Sequence, residues 1–289
     1  MVDPPPQIKF PISDAFWRDT ISRAQATPLE ARCEPEINPR PYFTFRVTYR
    51  SLGGENITAL LGVPIRDREN QRLPAIITAP GYGGWEHGVT LSDCQRGYLI
   101  LQISPRQQGE SSGLPRYERW QGEGPLLRGI KQPEGYFYQG AYMDMLRGVD
   151  YLLTRDDVDP ERIGAMGTSQ GGGIVLASSA LIPRIKAVVA HVPYFCDMRH
   201  NTAFATGELD TPEHLATFDY FDPVQLAHRL HAPTLLSSGG KDATCPAETI
   251  RAVFDQLPGI KGLLHYPELI HTSSLGFYRA SWEWMATYL

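Results

Sequence analysis

Apolar and polar positions alternate through Phe43, Phe45, Val47 and Tyr49, and an apolar series returns at Ile57, Leu60, Leu61 and Val63, with Gly53-Gly54 between them. Two such runs about a pair of glycines predict a strand pair. Downstream the pattern changes. The runs at 74–79, 98–103, 162–167, 186–191, 233–238 and 262–266 are apolar at nearly every position. A strand covered on both faces has no polar side to display, so these read as parallel strands of a buried sheet. Helical spacing fills several intervals, in Ile174, Val175, Leu176 and Leu181, in Ile250, Val253 and Phe254, and in a last amphipathic segment through Trp282, Met285 and Leu289. That alternation predicts an α/β protein with a doubly wound sheet. Ahead of it residues 1–41 form an expected arm, with a short helix around Phe16, Trp17 and Ile21 and then Pro28, Pro35, Pro39 and Pro41, wrapping the core or a neighbouring subunit. No internal repeat or low-complexity tract interrupts the chain.

Two connections, 106–138 and 193–221, are too long for simple turns and read as lid or cap segments. Both should leave strand carboxyl ends, where ligands of open α/β sheets bind. The second carries Tyr194, Phe195, Phe204, Phe218 and Tyr220, and the first carries Trp120. These rings either line a face for a sugar or an apolar acyl group or pack the cap to the sheet.

The densest chemical signal is Gly167-Thr168-Ser169-Gln170-Gly171, at the junction of a short apolar strand and a small-residue helix. A serine on so tight a strand-to-helix turn projects its hydroxyl above the sheet edge, and the flanking glycines let neighbouring backbone pass without a Cβ clash. Ser169 is therefore a candidate nucleophile, the alternative being a glycine-rich turn with a capping serine. A serine needs a base, and the base an orienting acid. Asp242 lies in Gly239-Gly240-Lys241-Asp242, just past one predicted strand; His271 follows the last one, beyond Pro267-Glu268-Leu269-Ile270. The order Ser, Asp, His suits this architecture. Asp219, Asp222 and Asp255 compete less well for the acid, because none closes a loop directly after a predicted strand. Asp242 itself could instead cap the following helix. For the base, His265 lies inside a strand, His228 and His231 sit on a helix and its exit, and His191, His200 and His214 follow the sixth predicted strand and could line a cap. Oxyanion donors would be the backbone amides of Gln170, next to the serine, and of Tyr82 in Pro80-Gly81-Tyr82-Gly83-Gly84-Trp85, with Gly83 an alternative to Tyr82.

Composition narrows the partners. A chain of 289 residues can fold as one domain, taken as 1–289. A net charge of -5 gives no basic footprint for nucleic acid and suggests no membrane partner. Residues 1–7 lack a cationic start and an apolar core, and no run approaches the roughly 18 apolar residues of a spanning helix. A chain that is not exported is expected. Cys33, Cys94, Cys196 and Cys245 are far apart with no CxxC, so no disulfide framework or zinc site is indicated and reduced thiols suit the cytoplasm. The chemistry calls for no metal and no organic cofactor, only a small-molecule ester.

Longer matches join these fragments: Arg147-Gly148-Val149-Asp150-Tyr151-Leu152-Leu153; Val158-Asp159-Pro160-Glu161-Arg162-Ile163-Gly164; Ser169-Gln170-Gly171-Gly172-Gly173; Val192-Pro193-Tyr194-Phe195-Cys196-Asp197; Tyr220-Phe221-Asp222; and Lys241-Asp242-Ala243-Thr244-Cys245-Pro246. Together they resemble the acetyl xylan esterase and cephalosporin C deacetylase family, carbohydrate esterase family seven, from Phe16-Trp17 to the last helix. The resemblance implies an α/β-hydrolase fold, a mostly parallel central sheet with helices on both faces and cap-like insertions. It implies Ser169 as nucleophile, Asp242 and His271 as its partners, the amides of Tyr82 and Gln170 as oxyanion hole, deacetylation of small acetylated sugars, a cytoplasmic location and a homo-oligomer, commonly a hexamer. Two positions depart from the family: its Arg-Gly-Gln-Gly is Arg106-Gln107-Gln108-Gly109, and its His-Glu is His271-Thr272. Other readings are a carboxylesterase or peptidase-like hydrolase of the same fold with a larger acyl or amide substrate, and a non-catalytic binding module.

Overall fold

The computed structural model describes residues 14–36, 40–65, 71–82, 88–113, 124, 126–201, 211–272 and 274–289. The strands among them are β1 (Arg32–Pro35), β2 (Tyr42–Arg50), β3 (Asn56–Pro64), β4 (Leu73–Ala79), β5 (Leu99–Ser104), β6 (Val158–Thr168), β7 (Ile185–His191), β8 (Thr234–Gly239) and β9 (Lys261–Tyr266). The helices are α1 (Asp14–Ala26), α2 (Phe137–Leu153), α3 (Gln170–Leu181), α4 (Pro212–Phe221), α5 (Pro223–Leu226), α6 (Ala247–Gln256) and α7 (Leu275–Tyr288). The strands form one sheet in the order β1-β2-β3-β5-β4-β6-β7-β8-β9. It is antiparallel from β1 to β5 and parallel from β5 to β9. The expected α/β-hydrolase architecture is present.

Strand alternation divides the core into two. Along β4 to β8 the odd-even phase sends Ala75, Ile77, Leu101, Ala165, Val188 and Leu236 into one cluster, roofed by side chains of α1 to α6. Ile76, Ile100, Met166, Val189 and Leu235 point the other way, toward Phe277, Trp282 and Met285 of α7. Both faces are covered, which is why these strands read as continuous apolar runs.

The expected hairpin forms, with Gly53 and Gly54 at φ 77° and 76° between β2 and β3. The arm is only partly as expected: α1 docks through Trp17 against Tyr142 and Phe221, but Arg32–Pro35, for which no strand was expected, pairs antiparallel with β2. All four residues are exposed, and a proline is tolerated on such an edge because its missing N–H need not face a partner. β6 also begins earlier than expected, Val158 pairing with Leu73 before a register shift. Of the two long connections, 114–123 and 125 in the first and 202–210 in the second lie outside the described residues, and with them Trp120 and Phe204.

The loop leaving β5 is anchored inside. The Arg106 guanidinium, 15% exposed, meets the fully buried Asp144 carboxylate of α2 at 2.7 Å, and the Arg106 backbone N–H donates to the same carboxylate at 2.8 Å. Removing one partner of such a pair would leave a buried charge uncompensated, so the loop has little freedom to leave its place.

Candidate active site

β6 ends at Thr168, α3 begins at Gln170, and the whole change of direction falls on Ser169, at φ 56° and ψ -123°. A non-glycine residue pays strain for that conformation, and it persists only where its surroundings over-determine it. The surroundings do so here. The Ser169 N–H donates to His191 O at 2.9 Å, and Ser169 O accepts from the amides of Gly173 at 3.1 Å and Tyr194 at 2.9 Å. A Cβ on Gly167 would lie 2.3 Å from Gly171 O, and one on Gly171 would lie 2.1 Å from Ala79 O. The two glycines are thus required by close backbone approach, the second against the exit of β4.

The loops carrying the other two candidates are sewn together by their backbones. Gly240 N–H donates to Tyr266 O and Lys241 N–H to Leu269 O, each at 2.9 Å, which brings the exit of β8 alongside the exit of β9. Asp242 Oδ1 accepts from Thr244 N at 2.9 Å and Cys245 N at 2.8 Å. Its Oδ2 lies 2.8 Å from His271 Nδ1, and His271 Nε2 lies 3.0 Å from Ser169 Oγ. An ionised carboxylate only accepts, so the Nδ1 proton goes to Asp242 and leaves Nε2 free to accept from the serine hydroxyl. The Asp242 side chain is fully buried and that of His271 is 29% exposed, so the imidazole is the most exposed member between a buried acid and a buried serine. Three residues separated by up to 102 positions meet in one line.

Asp242, Cys245 and His271 also bring one carboxylate oxygen, one sulfur and one imidazole nitrogen within 4.8 Å of one another. Burial, with the Asp242 charge behind it, pushes the Cys245 thiol well up. A thiol held protonated is a poor ligand, and the facing carboxylate and imidazole atoms already bond each other. The cluster reads as a hydrogen-bonded relay.

Gln170 opens α3, where the first backbone N–H groups have no intrahelical partner and face outward. Tyr82 stands three residues past β4, its hydroxyl accepting from Leu126 N at 3.3 Å and its ring edge-on to Tyr194. Gly83 lies outside the described residues. The Gln170 side chain is fully buried and makes a reciprocal amide pair: Gln108 Nε2 donates to its Oε1 at 3.1 Å, and its Nε2 donates to Gln108 Oε1 at 2.8 Å. Sequence reasoning missed Gln108, although Arg106-Gln107-Gln108-Gly109 is the stretch where the chain departs from the family pattern. Beside it Gln107 sits at φ 59°. The special geometry of that position is kept although glycine is not.

The other candidates are used elsewhere. Asp219 pairs with Arg199 and Asp255 with Arg251. Asp222 caps α5. His265 Nδ1 meets Ser238 Oγ at 2.9 Å on β9, and His200 meets Asp197. His191 is the last residue of β7, buried, and stacked on Phe277 with centroids 4.7 Å apart. His228 lies on a turn after α5, with burial lowering it, and His214 lies in the first turn of α4. The second cap's rings pack: Phe195 stacks on Tyr138 at 4.4 Å and meets Phe218 edge-on at 5.4 Å, and Tyr220 sets its edge against Phe16.

The acetyl xylan esterase (AXE1) family model matches residues 12–288. Acetyl esterase Axe7A of Xylanibacter ruminicola is 24% identical over 292 residues, which cover 93% of this chain and 65% of that protein; the chain therefore spans just under two-thirds of that relative. A solved acetyl xylan esterase from Paenibacillus sp. R4 superposes with a TM-score of 0.87 at 26% identity, covering 98% of this chain and 97% of the other. Acetyl xylan esterase 1 from Thermoanaerobacterium sp. JW/SL YS485, at 21% identity and a TM-score of 0.82 over 95% and 92% of the two chains, shows the shared fold. On the match across nearly its whole length, this chain belongs to the acetyl xylan esterase family.

Proposed function

We propose that this protein is a serine esterase that removes acetyl groups from small acetylated sugars or related esters through an acyl-enzyme. The observation that carries the reading is the continuous hydrogen-bonded line Ser169–His271–Asp242, with the serine on a strained elbow. The relatives' names supply the acyl group.

In this reading Ser169 Oγ attacks the ester carbonyl while His271 Nε2 takes its proton. Asp242 holds the imidazole in the useful tautomer and stabilises the imidazolium that forms. The new oxyanion is bound by the backbone amides of Gln170 and Tyr82, each such donor being worth roughly 10² to 10³ in rate. As the tetrahedral species collapses, the bond between the acyl carbon and the alkoxy oxygen breaks and His271 returns the proton to the departing alcohol. Water then repeats the sequence on the acyl-serine, releasing acetate and restoring Ser169. Every step uses this chain's own side chains and amides.

A cytoplasmic homo-oligomer completes the reading. It is supported by four unpaired cysteines, by the lack of any described helix long and apolar enough to cross a membrane, and by the exposed apolar side chains of Phe43, Ile65 and Ile270. Mass measurement in solution tests the assembly, and a monomer would remove it.

The decisive experiment is Ser169→Ala with an activated acetyl ester. Turnover is expected to fall to background while the melting transition stays near that of the parent, and an organophosphonate should add to the parent chain at Ser169 alone. Retained turnover in the alanine variant, or a phosphonate adduct at another residue, defeats the reading. Turnover compared across acetyl, butyryl and octanoyl esters tests the acyl preference; acetate must be preferred.

A further inference from the structure

Behind the His271 loop, on the α7 face of the sheet, lies a cavity of about 230 Å3 that the chemistry above does not use. β6 and β7 form its floor and the start of α7 its roof. Its walls include Met166, Val189 and Phe277, none more than 4% exposed. Leu275 lines it too, yet is 80% exposed, which marks where it meets the surface.

Two polar side chains interrupt this apolar lining. Thr168 is 8% exposed and His191 6% exposed. Among the described residues neither side chain has a hydrogen-bond partner. Nor are their polar atoms among the sealed, unpartnered ones of the described residues, which are Trp17 Nε1, Ser178 Oγ, Ser179 Oγ and Trp282 Nε1. Both residues line this cavity. Gly88 keeps the hydroxyl reachable, since a Cβ there would lie 2.7 Å from Thr168 Oγ1. Buried polar groups in native proteins are nearly always paired, so two unpaired ones facing the same void ask for a ligand.

The chemistry of that ligand follows from the lining. Burial, then the His271 charge, pushes His191 down to about 4. Its imidazole is neutral at physiological pH and offers one donor and one acceptor. Among the described residues no Asp, Glu, Lys or Arg lines the cavity, so its described lining offers nothing to compensate a charge. An apolar cavity of about 150 Å3 is enough for benzene, which leaves room here for a ring with a short polar arm.

We propose that this cavity is a second binding site, separate from the cleft above Ser169, for a small uncharged molecule with an apolar ring or short chain and one hydroxyl or amide, which Thr168 and His191 hydrogen-bond. Such an occupant touches the residue before Ser169 on one side. On the other it touches the first turn of α7, whose N-cap Ser274 follows His271 by three positions. It thereby braces the two elements that bring serine and histidine together.

Benzyl alcohol is a suitable probe, titrated calorimetrically into the full chain before and after phosphonate labelling. Saturable one-to-one binding is expected, undiminished by the label. Val189→Phe fills the void from the floor and Ser281→Phe from the roof; affinity should fall at least tenfold in whichever variant keeps the native circular dichroism spectrum. Thr168→Val keeps the shape and removes the hydroxyl, and is expected to weaken binding by about three- to tenfold. The proposal is overturned by an absence of saturable binding to the parent chain, by binding abolished on labelling, or by full affinity in a folded filled variant or in Thr168→Val. The titration reads heat rather than turnover, so a Ser169 that refuses the phosphonate would defeat the esterase reading and leave this one standing.

Discussion

Two buried carboxylates near the carboxyl edge of the sheet are wired alike and do different work. Asp222, between α4 and α5, accepts from the amides of Asp197 at 3.0 Å, Met198 at 2.6 Å and Val224 at 2.9 Å. Asp242, after β8, accepts from two amides in the same manner. Burial and backbone capping are common to both, so neither property identifies a catalytic acid. The difference lies in the remaining oxygen: Asp222 uses both of its oxygens on backbone N–H groups, whereas Asp242 keeps one for His271. Burial pushes Asp222 up to about 7 against the pull of its three backbone donors.

If that distinction is correct, Asp242→Asn should lower kcat by about 10³- to 10⁴-fold, because the amide presents a donor where the imidazole needs an acceptor and favours the wrong tautomer. The melting temperature should move little. A comparable kcat loss in Asp222→Asn would erase the contrast. Asp222→Ala strands three buried N–H groups and should destabilise the fold by about 2 to 4 kcal/mol in a denaturant titration, with turnover per folded molecule nearly unchanged.

A subtler separation comes from pH. With its folded pKa raised to about 7, Asp222 in the native state retains a proton that the unfolded chain has already released above about pH 4. Its contribution to stability is therefore complete below about pH 4 and is lost as the pH climbs through 7. The stability advantage of the parent over Asp222→Asn should shrink across that window, and a constant gap would show that the carboxyl does not titrate there. The smallest effect is expected at Gln107, whose φ of 59° suits glycine better: Gln107→Gly should stabilise by about 0.5 to 1 kcal/mol, read as a small rise in melting temperature. A loss of stability would mean that the Gln107 contact with Arg128 outweighs the strain.

How much could be read beforehand depended on range. The elbow was legible because its geometry is local: Gly167, Ser169 and Gly171 fall within five residues, and the glycines answer backbone contacts that any strand-to-helix turn so tight must make. Asp242 and His271 were legible because each follows a strand end at short distance, and parallel strands put those ends on one edge. β1 was not legible, because exposed Arg32, Cys33, Glu34 and Pro35 carry no alternation and the strand exists only by pairing with β2. The cap aromatics were ambiguous for a related reason: whether Phe195 faces a ligand or Tyr138 depends on where a distant helix lies.

By itself the sequence determined the periodicities that make a parallel sheet with two covered faces, and the strained turn that lifts Ser169 above its edge. These follow from neighbours a few residues apart, whose spacing repeats in every copy of such an element. Tertiary structure alone decided which oxygen of Asp242 faces His271, that Gln108 and Gln170 hold each other, and that Thr168 and His191 share a void under α7. Such relations join residues tens of positions apart, and they depend on distances of a few tenths of an ångström that no local pattern encodes.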